Sequence, residues 1–94
     1  MYPPELVKGF EDGSLNIKEF DHKKHVYIAY VYLSEMPAAS AIEKYCKHLQ
    51  HLLETNGYGW KYNEVLTAHY INRLNTAMKE NPTANFDELV EKIR

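Results

Sequence analysis

The stretch that decides the fold is FDHKKHVYIAYVYL, residues 20–33. Its last eight residues are all apolar or aromatic, so as a strand they would need a central position in a sheet. No other segment has a comparable β-branched or aromatic run, and a lone strand is not stable. As a helix, the same residues are typical of a central helix that is covered on several sides. We therefore predict a helix that begins after Asp21 as N-cap and ends near residues 34–37.

Three later segments have the three-and-four spacing of apolar residues that predicts amphipathic helices. Pro37 opens the first segment, and Asn56 with the glycine after it closes that segment. Asn85 and Glu88 stand at capping-box spacing before the last. The three segments are residues 38–55, 62–79 and 86–93.

The first 16 residues contain two prolines and two glycines among acidic residues. This composition predicts an irregular N-terminal arm with one helical turn at residues 5–10. The whole sequence therefore predicts an all-α fold, a small antiparallel bundle of about four helices. We expect the arm at residues 1–16 and a single helical domain at residues 17–94.

Composition and charge exclude several classes of function. Eleven basic and thirteen acidic residues give a net charge of −2, and no basic block exceeds Lys23–Lys24, so no nucleic-acid partner is expected. No apolar run reaches the ~20 residues of a membrane span, and the N-terminus lacks the pattern of a secretory signal. The lone Cys46 permits no intramolecular disulfide. We expect a cytoplasmic protein without a cofactor.

His22 and His25 are the first candidate site residues. At i and i+3 of a helix both imidazoles can contact the same metal ion or ligand, and Ala29 and Tyr32 continue the same face of the helix inward. This pattern is typical of a metal pair or a general acid–base pair. The alternative is two half-exposed histidines in a first helical turn, with His25 hydrogen-bonded to a neighbouring helix. Spacing alone favours the alternative, because zinc takes three or four ligands.

A second HxxH pair, His48 and His51, lies in the middle of the next predicted helix. Two such pairs on different helices would form a four-His metal site only if they lay at matching depth, which we do not expect. Cys46 lies on the apolar face of that helix, so we do not expect a reactive thiolate.

The start of the third predicted helix carries a second polar face. Asn63 and Thr67 stand at i and i+4, with Lys61 and Glu64 close by. The alternative interpretation makes Asn63 an N-cap and Glu64 a favourable charge at the positive end of the helix dipole.

These two stretches together resemble a group of small bacterial conserved hypothetical proteins with no known biochemical function. Their pattern is F-x-H-x-x-H, then A-x-x-Y-L, then K-Y-H-E-x-x-T, and the resemblance covers roughly residues 20–70. It implies that both polar faces belong to one site between the first and third predicted helices. Asn63 departs from the pattern by replacing a histidine, which weakens a metal site because Asn is a poor zinc ligand. The matching residues are Phe20, His22, His25, Ala29, Tyr32, Leu33, Lys61, Tyr62, Glu64 and Thr67.

Our leading hypothesis is a non-enzymatic domain that binds a small polar ligand or a partner segment. The competing hypothesis is an enzyme in which His25 acts as general base and His22 orients the substrate, and a histidine metal site ranks third. The tyrosine-rich central helix and the amphipathic tail favour a homodimer. The predicted ligand-binding residues are His22, His25, Tyr32, Lys61, Tyr62, Asn63, Glu64 and Thr67.

Overall fold

The computed structural model describes residues 2–93, which form helices and no strand. The all-α prediction is therefore confirmed for these residues. Within them, no helix combines the length and hydropathy that a membrane span requires. Two short 3-10 turns, Ile17–Glu19 and Gly59–Lys61, join the larger elements. The α-helices in chain order are α1 (Pro4–Asp12), α2 (His22–Glu35), α3 (Ala38–Thr55), α4 (Glu64–Glu80) and α5 (Phe86–Lys92).

The tyrosine-rich stretch is helical, as predicted, and forms α2. Asp21 caps its first turn by accepting a hydrogen bond from the Lys24 amide at 2.9 Å. The last bond runs from the Met36 amide to the Tyr32 carbonyl at 2.9 Å. Because α2 packs against α3, α4 and α5, its apolar residues are covered on several sides. Tertiary packing thus overrides the β-propensity of its valines and tyrosines.

The N-terminal segment is a nine-residue helix rather than the irregular arm that composition predicts. Pro4 occupies the start of α1, and Gly13 ends it in the left-handed conformation with φ 81°. Leu6 and Phe10, four residues apart, lie on the buried face, and Phe10 is 0% exposed. The prolines and glycines therefore delimit a helix whose apolar face belongs to the same core as the other helices. The Phe10 ring packs against the rings of Phe20, Tyr32, Tyr45 and His48.

The remaining helix boundaries follow the capping signals in the sequence. Pro37 precedes α3, and Asn56 ends it before Gly57 turns left-handed at φ 79°. The capping box before α5 is formed, since the Asn85 side chain accepts from the Glu88 amide at 2.9 Å. Only α4 starts later than predicted, at Glu64 instead of residue 62.

Helices α2 and α3 pack together at the centre of the fold, and the other helices pack on or beside them. Helix α1 packs on α3, α4 packs on both central helices, and α5 contacts α2 and α4. This arrangement leaves an opening where the first halves of α2 and α4 face the second half of α3.

Candidate functional site

A cleft of about 270 Å³ lies among α2, α3 and α4, and we call it the α2–α4 cleft. Its floor is apolar and its mouth is polar, so the two predicted polar faces do meet at one opening. The floor consists of Val26, Ala29, Leu49, Leu53, Ile71, Leu74 and Ile93, with Leu66 nearer the outside. The polar and aromatic lining consists of His22, His25, Tyr45, Lys61, Tyr62, Asn63, Thr67 and Tyr70.

Six of the eight predicted ligand-binding residues line this cleft, and Tyr32 and Glu64 do not. The six that it brings together are His22, His25, Lys61, Tyr62, Asn63 and Thr67.

Tyr32 is turned away from the cleft toward α1. Its hydroxyl donates to Glu11 Oε2 at 2.7 Å, and Lys44 Nζ lies 3.2 Å from the same oxygen. Burial and this hydrogen bond raise the pKa of the Tyr32 phenol. Burial opposes ionisation of Glu11, but the bonds from Tyr32 and Lys44 outweigh it and lower the pKa of that carboxyl. Tyr32 therefore ties α2 to α1, of which composition predicted only one turn.

Glu64 is exposed in the first turn of α4, beside Tyr62 and Cys46 rather than in the cleft. The Tyr62 hydroxyl is buried next to the Cys46 thiol but makes no hydrogen bond of acceptable geometry within residues 2–93. Burial raises the pKa of the Tyr62 phenol and that of the Cys46 thiol. A thiol with a raised pKa carries little thiolate near neutral pH, as the sequence predicts for Cys46.

The His25 side chain is held by the loop before its own helix, whereas a neighbouring helix reaches only its backbone, through the Tyr45 hydroxyl that donates to the His25 carbonyl at 3.3 Å. Its Nε2 lies 3.1 Å from the Phe20 carbonyl oxygen, and its ring stacks on the Phe20 ring at 3.8 Å between centroids. Because a carbonyl only accepts, Nε2 carries the proton and Nδ1 is the acceptor. Burial lowers the pKa of His25 to about 4. General bases work best with a pKa near the working pH, so this burial disfavours the acid–base hypothesis at neutral pH.

His22 lies exposed at the mouth of the cleft, with its ring 6.3 Å from the Tyr70 centroid. Within residues 2–93 no three His, Cys, Asp or Glu side chains approach closely enough to hold one metal ion. The second pair is on the other side of α3, where His48 packs near Phe10 and His51 lies against Gly13. The two HxxH pairs therefore do not combine into a four-His site.

Asn63 is both the N-cap of α4 and a lining residue. Its side-chain oxygen accepts from the Leu66 amide at 3.0 Å, and the Thr67 hydroxyl donates to the Asn63 carbonyl at 2.8 Å. The capping interpretation is thus confirmed, and the bonds of this exposed lining residue use its side-chain oxygen and its carbonyl but not its amide NH₂. One residue serves the helix with its oxygen while its nitrogen can serve a ligand.

Four large apolar residues between positions 60 and 70 are exposed, which the sequence analysis did not predict, and two of them, Leu66 and Tyr70, line the cleft. We define the apolar strip as Trp60, Val65, Leu66 and Tyr70, which are 78%, 80%, 52% and 41% exposed. Lys61 Nζ lies 5.3 Å from the Trp60 ring centroid, within cation–π range. Adjacent apolar residues at the very start of α4 were the available signal, because the first turn of a helix at the edge of a domain has fewer neighbours to cover both of them.

No protein family, no curated protein and no solved structure gives a significant match to this chain. The resemblance described above therefore stays a prediction.

Proposed function

We propose that this protein is a binding domain for a small molecule, and that its site is the α2–α4 cleft. The observation that carries the proposal is the convergence of six predicted residues on one cavity with an apolar floor. Binding sites are typically concave and mostly apolar, with a few polar groups that orient the ligand. The cleft has this composition.

The size and chemistry of the cleft restrict the ligand. Its volume of about 270 Å³ is near the lower end of small-molecule sites, which are roughly 300–1,000 Å³. The exposed polar residues His22, Lys61 and Asn63 lie at the mouth, whereas the lining residues Leu49, Ile71 and Leu74 are buried. A ligand with an apolar body and a polar end satisfies both parts, so the polar ligand expected from the sequence is better described as amphipathic.

The test is a heat-shift screen against small metabolites, followed by variants of the cleft. A ligand at 100 times its Kd stabilises the folded protein by about 2.7 kcal/mol, which raises the Tm of a domain this size by more than about 10 °C. Ala29→Leu fills the floor and should abolish the shift, while Ala39→Leu makes the same change at an exposed position outside the lining. His22→Ala should reduce the shift in Tm that the ligand causes. A shift that survives both Ala29→Leu and His22→Ala would show that the ligand binds elsewhere.

The apolar strip favours a second proposal, that two copies of the chain associate through it. These four residues lie within eleven positions of the chain, and exposed large apolar residues that form a patch mark interaction surfaces. An aromatic side chain supplies about 150–250 Å². The four partly exposed side chains therefore fall short of the roughly 800 Å² that each partner gives to a standard interface. We thus expect a weak, concentration-dependent homodimer. Sedimentation velocity should detect it, and Val65→Glu should abolish it, whereas a monomer at all concentrations contradicts it.

A further inference from the structure

We propose that the ligand of the α2–α4 cleft is a small carboxylic acid whose carboxylate is held by Lys61 and Asn63 and whose apolar body fills the floor. This inference rests on the proposed function and names the class of ligand.

The charges of the lining favour an anion. Lys61 is the one lining residue in the described part of the chain that is always charged near neutral pH, and no carboxylate side chain lines the cleft there. Lys61 makes no salt bridge among those residues, since the two ion pairs found involve Lys23 and Lys44. Its ammonium lies 5.0 Å from the Tyr58 ring centroid and 5.3 Å from that of Trp60, and neither ring lines the cleft. These contacts use no hydrogen-bond donor, so a change in conformation of the flexible Lys61 side chain would bring all its donors to a ligand in the cleft.

A count of hydrogen bonds at the lining shows which donors are engaged. The Thr67 hydroxyl donates to the Asn63 carbonyl, and Tyr45 donates to the His25 carbonyl at 3.3 Å. His25 Nε2 is engaged with the Phe20 carbonyl. Five lining residues keep a donor that none of these bonds engages: His22, Lys61, Tyr62, Asn63 and Tyr70. The imidazole and the two phenols can also accept, but the Lys61 ammonium and the Asn63 amide nitrogen only donate, and a group that only accepts satisfies both. A carboxylate is such a group, and hydrogen bonds to charged acceptors are the stronger ones.

Two nearby carboxylates, those of Asp21 and Glu64, reduce the preference of the cleft for an anionic ligand without reversing it. Asp21 uses its side chain to cap α2 at the Lys24 amide, and Glu64 lies beside Tyr62 and outside the lining. Neither faces the cavity floor where the ligand body would lie. Because the mouth is also open to solvent, we expect Lys61 to favour the carboxylate by roughly tenfold and not more.

The apolar body is defined by the floor. Ala29 leaves space on α2, and the aliphatic side chains of Leu49, Ile71 and Leu74 surround that space. A phenyl group on a two-carbon linker suits a cavity of about 270 Å³ with its polar groups at one end. We therefore choose 3-phenylpropanoate as the probe, with 3-phenylpropanamide and 3-phenylpropylamine as neutral and cationic probes of the same body.

The experiment is a titration of each probe followed by the ¹H–¹⁵N signals of cleft residues such as Ala29 and Thr67. The carboxylate should bind roughly tenfold more tightly than the amide, and the amine should bind most weakly. Lys61→Gln should lower the affinity for 3-phenylpropanoate to that for 3-phenylpropanamide, and it should leave the affinity for 3-phenylpropanamide unchanged. Lys47→Gln, at an exposed lysine of α3 outside the lining, should change nothing.

A second variant keeps the inference testable if Lys61 also has a structural role. Asn63→Asp preserves the N-cap, because Asp caps helices as well as Asn, but replaces the amide donor with a negative charge. Asn63→Asp should weaken the binding of 3-phenylpropanoate more than Lys61→Gln does, and it should make 3-phenylpropylamine the probe that binds most tightly.

The outcomes separate this inference from the proposed function. If all three probes bound equally well and Ala29→Leu abolished that binding, the α2–α4 cleft would be supported as the binding site. The proposal that the ligand is a carboxylic acid would then be overturned. Tightest binding of the amine would overturn it as well. If no probe perturbs the cleft signals, the carboxylate proposal fails, while the proposed function is decided separately by the metabolite screen.

Discussion

Replacing Phe10 by alanine should remove a large part of the stability of this protein, because α1 is an integral part of the core. Phe10 is 0% exposed and its ring packs at 5.1 Å from the Tyr45 ring and 5.5 Å from the Phe20 ring, between centroids. Truncation of a fully buried Phe to Ala typically costs about 3–5 kcal/mol, from lost burial and the cavity left behind. A domain of 94 residues has a free energy of unfolding of only about 5–14 kcal/mol.

Urea denaturation followed by circular dichroism measures this loss directly. The midpoint should fall while the slope stays the same, and Tm should drop by at least about 12 °C, at roughly 4 °C or more per kcal/mol. Val65→Ala is the matched control, because Val65 is 80% exposed and its truncation should change stability by less than about 0.5 kcal/mol. A loss below about 1 kcal/mol for Phe10→Ala would refute the reasoning, since a detached N-terminal arm would give that result.

Two further predictions concern buried polar groups. Burial lowers the pKa of His25 to about 4 from 6.5, so the unfolded chain binds more protons between these pH values, and stability falls as pH falls. Between pH 7 and pH 5 the free energy of unfolding should drop by about 2 kcal/mol, and His25→Gln should flatten the urea-midpoint profile more than His48→Gln does. An equally steep profile in His25→Gln would contradict this. Tyr32→Phe should cost about 1–2 kcal/mol, because it removes the 2.7 Å bond to Glu11. Tyr62→Phe should be neutral or stabilising, because its buried hydroxyl has no hydrogen bond of acceptable geometry. Equal losses in the two Tyr→Phe variants would disprove that distinction.

Helix boundaries were largely predictable because the signals that set them are local. Asp21, Asn85 and Glu88 cap backbone groups within three residues of themselves, so the sequence contains all the atoms that those hydrogen bonds need. The same holds for Asn63, whose capping role was visible in its position before α4. Of the helix of residues 4–12 only one turn was predicted, at residues 5–10, because prolines and glycines suggest irregularity, whereas at helix ends the same residues define boundaries.

The candidate site was predictable only in part, because which residues line a cleft depends on how the helices are rotated against each other. His22 and His25 share a face on any helix, and so do Asn63 and Thr67. Tyr32 lies near that first face by spacing, yet in the structure its hydroxyl donates to Glu11 on α1. No pattern within α2 contains that information, since the partner is 21 residues away along the chain.

The amino-acid sequence by itself determined that the chain is helical, where most helices begin and end, and which polar residues share a helical face. Periodicity and capping are interactions between neighbours in the chain, and they do not depend on the rest of the fold. Only the tertiary structure decided that α1 belongs to the core, that the two polar faces meet over an apolar floor, and that His25 is buried with a lowered pKa. These properties depend on the packing of distant segments and on the water that packing removes, and neither is encoded in any single stretch of residues.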